Sequence, residues 1–274
     1  MIRVGVFGAG GRMGATTCAA IWAAHDLELV AAVDPSHAGA ELSEVVAAAG
    51  AGAGVGAGVF VTAEPGVMAL AGVEVAVDFT VAGAARENLR WCAAHGVHVV
   101  VGTTGFNETD IAELRQLFAP GLLANAVVAP NFSIGAVMMM RCAAMCAPYF
   151  EGAEIIELHH SGKRDAPSGT ALATARAMAA ARVAQGSGEL APDPTEIEAL
   201  RGARGGATTA GVHVHSVRLP GLVAHQEVLL GSAGETLTIR HDSTDRVSFM
   251  AGVLLAVRGV AGHDGLTVGL EPLL

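Results

Sequence analysis

The chain has 274 residues, enough to bury a substantial core in one large domain or two modest ones. Hydrophobic residues make up 52% and charged residues 15%, which excludes a disordered chain, and no uninterrupted apolar run is long enough to cross a bilayer. With 26 acidic against 16 basic residues the formal charge is −10, so nucleic acid and anionic membrane surfaces are poor general partners, although a local basic pocket could still hold a small anion.

The chain enters an apolar run at once, and no signal peptide is expected ahead of it. Short β-branched runs at 2-IRVGVF-7, 28-ELVAAV-33, 73-VEVAVDF-79, 97-VHVVV-101 and 122-LLANAVVA-129 read as strands. Their near-continuous apolar character suits strands buried on both faces. Helical stretches at about 13–25, 83–95 and 108–118 alternate with them, which predicts a Rossmann-like, doubly wound parallel sheet in an α/β fold. The Gly/Ala stretch 46-VAAAGAGAGVGAGV-59 reads as a flexible surface loop without a function of its own.

After 130-PNF-132 the pattern changes. A buried helix is expected over about 135–147, then a strand at 153-AEIIELHH-160 and a helix beginning near 168. Runs at 212-VHVHSVRL-219, 224-AHQEVLLG-231 and 235-ETLTIRH-241 follow in succession with polar alternation, which predicts a mostly antiparallel sheet in an α+β domain. A last helix at about 244–261 is expected to return to the first domain. The predicted boundaries are therefore 1–131, rejoined by 243–274, and 132–242. Cys18, Cys92, Cys142 and Cys146 lie in apolar surroundings. Cys142 and Cys146 share a helix face and could pair or bind a metal, but without a CxxC spacing they read as small packed hydrophobes in a reducing cytoplasm.

The turn 8-GAGGRMG-14 follows the first strand and opens a helix. Glycines there let the backbone approach a pyrophosphate, and the helix N-terminus adds free amides. The third glycine is shifted from position 13, which is Met13, to Gly14. Asp34 ends the second strand, where an acid accepts hydrogen bonds from an adenosine ribose. No arginine or lysine follows it, and Arg12 is the basic residue of the adjoining loop, so NADH is favoured and NADPH left open. The strand ends 102-GTTG-105 and 129-APNF-132 would complete a dinucleotide site at the carboxyl edge of the sheet.

The densest chemistry is 157-ELHHSGKRDAPSGTA-171. On a strand His159 and His160 would face opposite ways, and either titrates near neutral pH. Lys163 suits a carboxylate. The helix entrance at Ser168, Gly169 and Thr170 offers amides and hydroxyls to a second anion, with Asp165 placed to cap that helix. A metal reading would add His213 and His215, but no carboxylate or cysteine ligand pattern accompanies them, and an exposed sheet face is the preferred reading. A nicotinamide cofactor, a proton donor and an anion clamp together imply reduction of a C=O, C=N or conjugated C=C bond in a small, doubly anionic substrate.

These motifs, with 78-DFT-80 and 235-ETLTIRHDSTDR-246, closely resemble those of the 4-hydroxy-tetrahydrodipicolinate reductases, formerly dihydrodipicolinate reductases, over nearly the whole chain. The resemblance implies NADH- or NADPH-dependent reduction of a cyclic dicarboxylate with loss of water, in the diaminopimelate route to lysine. It implies that Gly8, Ala9, Gly10, Gly11, Arg12 and Met13 hold the phosphates and Asp34 the ribose. Gly102, Thr103 and Thr104, with Ala129, Pro130, Asn131 and Phe132, would line the nicotinamide side. His159 would exchange the proton, and Lys163 would be a second donor that also pairs with substrate. His160, Gly169 and Thr170 would hold a carboxylate, with Ser168 and Thr104 nearby. A cytoplasmic homotetramer, assembled through the second domain's sheet, is also implied. Ser161 and Gly162 stand where many relatives carry bulkier or basic residues. A reductase of another amino-acid-derived acid would share the first domain, whereas a dinucleotide-sensing regulator should carry a nucleic-acid module that this acidic chain lacks.

Overall fold

The computed structural model describes residues 1–50, 52 and 54–274. The chain divides into two compact units, Met1–Ser133 with Phe249–Leu274, and Ile134–Ser248. The first unit runs β1 (Ile2–Phe7), α1 (Arg12–Ala23), β2 (Leu27–Val33), α2 (Leu42–Ala48), β3 (Val61–Thr62), α3 (Gly66–Leu70), β4 (Val75–Asp78), α4 (Ala82–His95), β5 (His98–Val101), α5 (Glu108–Leu117) and β6 (Ala126–Val128). The second holds α6 (Ile134–Cys146), β7 (Gly152–His159), α7 (Gly169–Gln185), β8 (Gly206–Ala207), β9 (His213–Arg218), β10 (Ala224–Ser232) and β11 (Glu235–Ser243). The chain then returns to the first unit with α8 (Met250–Gly259) and β12 (Leu266–Val268).

The first sheet has the order β3-β2-β1-β4-β5-β6-β12, all parallel. Strand order reverses between β1 and β4, which makes the carboxyl ends of those strands the place for a ligand. Phe7, Leu89, Val99, Val101 and Phe118 are among the residues of its core, each worth about 1.5–3 kcal/mol when fully buried. Local signals set the helix ends. Asn107 and Asp110 form a reciprocal capping box at the start of α5, and Gly96, at φ 68°, ends α4 in the left-handed conformation. β12 is docked by buried Asn125, which accepts from Gly265 N–H and donates to Ala261 O.

Several expectations need correction. Residues 46–48 end α2, Val55 is buried and Gly56 packs on Leu42, so the described part of 46–59 is not simply a surface loop. Ala51 and Ala53 lie outside the described residues. The strand expected at 122–129 shrinks to Ala126–Val128, because Gly121 turns the chain at φ 83° and leaves Leu122 and Leu123 exposed. The last helix begins at Met250, after a 3₁₀ turn at Arg246–Phe249. The expected buried helix, α6, buries Ala136, Val137, Met139 and Ala143 but exposes Met138 and Met145.

The second sheet has the order β11-β10-β7-β9-β8. Three of its pairings are antiparallel, and β7–β9 is parallel. Two parallel neighbours need a long crossover, and α7 with the segment after it supplies that. Alternate residues of the strands (Ile155, Val214, Val228, Leu230) share a core with Ala171, Ala175 and Met178 of α7. Arg182 on α7 is buried and donates to the carbonyls of Ala147, Phe150, Ser187, Gly188 and Glu189. It thereby ties the α6–β7 link to the start of the segment that follows α7. No helix among the described residues is long and apolar enough to cross a membrane.

Candidate active site

In the first unit, every residue expected to bind the dinucleotide lies at or just after the carboxyl end of β1, β2, β5 or β6. Gly8 takes φ 73°, and its N–H donates to Val33 O, which ties the glycine turn to β2. Gly14 does the work of the missing third glycine: a Cβ there would collide with the carbonyl oxygen of Gly8. A Cβ on Gly10 would run into His37 and Asp34. The turn is thus a cradle that side chains would fill. Gly11 caps α1 without a side-chain hydrogen bond, and no acid occupies the first turn, so the amides of Arg12 and Met13 are available to an anion. Arg12 and Gly11 are exposed, and Ala9 is buried. A dinucleotide phosphate fits this donor set.

Asp34 accepts from Gly10 N–H through Oδ2 and from Ser36 N–H through Oδ1, each at 3.0 Å. His37 Nδ1 lies 3.3 Å from Asp34 Oδ1. Behind the other strand ends sits Asp78, fully buried, which accepts from Thr80 N–H, the hydroxyls of Thr80 and Thr103, and Asn88 Nδ2. Thr103 is buried and also donates to Thr80 O, while Thr104 is exposed. Gly102 leaves room for the Phe79 ring, which meets the Phe132 ring edge-on at 6.0 Å. Asn131 Oδ1 accepts from Ser133 N–H, Pro130 is exposed and Ala129 is buried. Asp78 stands in the motif 78-DFT-80 but was given no role of its own, because its bond to Thr103 joins residues 25 apart in sequence.

In the second unit, His159 is the last residue of β7 and His160 lies just beyond it, exposed, so strand alternation does not set its direction. His159 Nδ1 is 2.5 Å from Glu157 Oε2. Glu157 is completely buried and is gripped by Arg218, whose guanidinium donates to both carboxylate oxygens at 2.8 and 2.9 Å. Ser168 N–H donates to Glu157 Oε1. Arg218 also donates to Asp165 O, and the Asp165 carboxylate accepts twice from Lys163 Nζ at 2.8 and 2.9 Å. Asp165 is therefore not the helix cap. Ser168 is, its buried hydroxyl accepting from Ala171 N–H, which leaves the amides of Gly169 and Thr170 at the open first turn of α7.

Burial pushes the Glu157 carboxyl up, but hydrogen bonds from Arg218, Ser216 and His159 outweigh it and hold the group below its ordinary value. Burial pushes His159 down, against the pull of Glu157 and with the help of Lys163 and Arg218. These directions agree, because Arg218 already compensates the charge that would otherwise hold a proton on the imidazole. Glu157 and Arg218 were not singled out in the sequence. Glu157 carries a usable signal, standing two residues before His159 on the same strand face. Arg218 carries none, because it faces His159 only through the β7–β9 register.

His213 and His215 are not an exposed sheet face. They are partly buried in a cluster with Asp193, Glu154 and Arg204, with His215 Nε2 2.5 Å from Glu154 Oε2. Among the described residues, no group of three or more His, Cys, Asp or Glu could hold a metal ion. All four cysteines are free, and burial pushes the Cys18 thiol up to about 12.

Residues 2–132 match the family model for the N-terminus of dihydrodipicolinate reductase, and residues 135–274 match that for its C-terminus. A protein of Cutibacterium acnes named 4-hydroxy-tetrahydrodipicolinate reductase is 52% identical over 274 residues, covering 100% of this chain and 99% of its own. Its namesake from Nocardia farcinica is 50% identical over 273 residues, with 100% and 98% covered. The dipicolinate-bound dihydrodipicolinate reductase from Paenisporosarcina sp. TG-14 superposes with a TM-score of 0.83 at 37% identity, covering 100% of both chains. An amine dehydrogenase from Mycobacterium smegmatis, with a TM-score of 0.61 at 17% identity over 98% of this chain and 95% of its own, shares the fold alone. With both halves matched in order and about half of all positions identical over the full length, the chain belongs to the dihydrodipicolinate reductase family of NAD(P)H-dependent oxidoreductases.

Proposed function

We propose that this oxidoreductase reduces 4-hydroxy-tetrahydrodipicolinate to tetrahydrodipicolinate with loss of water, in lysine biosynthesis through the diaminopimelate pathway. One observation carries the reading: a histidine with one ring nitrogen committed to a buried carboxylate, a lysine and an open helix entrance are tied into one network in the second unit. That combination suits a small dicarboxylate that must gain a proton. The Paenisporosarcina relative binds dipicolinate, a ring with two carboxylates, which is the same ligand chemistry.

The first unit holds the dinucleotide, its phosphates on the Gly8–Met13 turn and its ribose at Asp34. The loops 102–104 and 129–132 flank the nicotinamide. A bound reduced nicotinamide supplies the hydride. In the second unit the amides of Gly169 and Thr170, with His160, hold one substrate carboxylate, with Ser168 close by. Lys163 exchanges Asp165 for the substrate and serves as a second donor. His159 delivers the proton that balances the hydride, so each turnover consumes one hydride and one proton and releases one water. NADH is the preferred donor, because Asp34 sets a negative charge where a 2′-phosphate would otherwise sit.

The second unit also supports a homotetramer. Ile156, Leu158, Val217 and Leu229 lie on the sheet face opposite the α7 core, and only partial burial covers them. Light scattering checks the mass.

The activity is tested by loss of reduced-nicotinamide absorbance, with substrate generated in situ by the preceding synthase from pyruvate and aspartate semialdehyde. NADH and NADPH are compared for wild type and His159→Gln. Wild-type turnover that drops about 10²- to 10⁴-fold in the variant is expected. No turnover with either cofactor, in protein that binds dinucleotide, would overturn the dicarboxylate assignment.

A further inference from the structure

We infer that Glu157 and Arg218 are positioning residues that fix which nitrogen of His159 exchanges the proton; the inference rests on the role just proposed for His159. Glu157 precedes His159 by two residues on β7, so both side chains leave the same face of the sheet. A fully buried carboxylate persists as an ion only if its lone pairs are filled, and here Arg218, Ser168 N–H and His159 Nδ1 fill them. Because Arg218 binds Glu157 in a two-pronged grip, the carboxylate stays an acceptor. His159 Nδ1 must then carry hydrogen, and Nε2 alone is left to meet a substrate.

The same pair reaches the rest of the proposed substrate site. Arg218 holds the Asp165 carbonyl, whose side chain orients Lys163, and Glu157 holds the amide of the residue that caps α7. One buried ion pair therefore aligns the proton donor, the lysine loop and the helix entrance. The charged groups facing His159 are Glu157 from its own strand, Arg218 from β9, and Lys163 and Asp165 from the following loop. Its neighbour on β10 is Ala224, which does not titrate. Of these, Glu157 is the one in contact that favours the protonated ring. Without its charge, burial and the two cations lower the midpoint further.

The test is histidine ¹⁵N–¹H NMR on the full chain, titrated in pH, together with steady-state kinetics of wild type, Glu157→Gln and Arg218→Met. In Glu157→Gln the His159 protonation midpoint falls by about one pH unit. The kcat falls by about 100-fold, with the cofactor KM changed less than about threefold. In Arg218→Met, which leaves the carboxylate in place and removes a cation, the midpoint rises. A folded Glu157→Gln protein with an unchanged His159 midpoint and tautomer would overturn the inference. Should that variant fail to fold, an unchanged midpoint in Arg218→Met does so instead. The NMR readout does not need turnover, so a wild type inactive on the dicarboxylate would defeat the proposed reaction and still leave the role of Glu157 decided.

Discussion

The amide of Gly10 donates to Asp34 Oδ2 at 3.0 Å, which ties the glycine turn after β1 to the end of the neighbouring strand. The carboxylate that would read the ribose therefore also shapes the phosphate cradle. Asp34→Asn keeps an acceptor for Gly10 and removes the charge that a 2′-phosphate would meet. The ratio of kcat/KM for NADPH over NADH should rise about tenfold, equivalent to about 1.4 kcal/mol. Parallel kinetics with both cofactors checks this, and a fixed ratio would show that the Asp34 charge does not discriminate.

Gly14→Ala should weaken both stability and cofactor binding. Its Cβ has nowhere to go but into the Gly8 carbonyl, a backbone atom that cannot rotate away. Overpacking of this kind costs about 1–3 kcal/mol. Urea midpoints and NADH fluorescence titration measure the two effects, and a neutral outcome in both would mean that α1 moves off β1 freely.

Arg182→Leu should destabilise the chain by about 3 kcal/mol, because five carbonyl oxygens lose a charged donor in a largely buried setting. NADH affinity, which depends on the first unit, should not change. Chemical denaturation beside an NADH titration separates the two.

Stability should fall as pH drops through 6.5. Asn125 N–H donates to His98 Nδ1 at 2.9 Å, so folded His98 needs that nitrogen unprotonated, and burial lowers its pKa from 6.5. The unfolded chain then binds more protons below 6.5, and unfolding gains. His159 and His241 are lowered by burial too and add to the same slope. A second loss is expected as pH falls below the ordinary carboxylate range, where Glu157 and Asp165, both held down, take up protons. Thermal midpoints from pH 8 to 2 check the sequence of events, and His98→Gln should flatten the upper step.

The parallel sheet was legible because its strands are short β-branched runs separated by helices with readable ends. The glycine turn, Asp34 and the stretch from His159 to Thr170 were legible because each is a local pattern with a direct chemical meaning. Val61–Thr62 and Leu266–Val268 were not, since strands of two or three residues carry too little periodicity to stand out.

What the sequence determined by itself is therefore what is encoded in short local runs: the glycine turn, the acid that ends β2, the histidine and lysine, and the helix entrance. The tertiary structure alone decided the partners of those groups. Arg218 lies 61 residues from Glu157 in sequence and reaches it only because β9 pairs in parallel with β7 after a long crossover. Asp78 reaches Thr103 only because β4 and β5 end side by side. Contacts of this kind depend on strand order and register, which are properties of the folded sheet rather than of any local run of side chains.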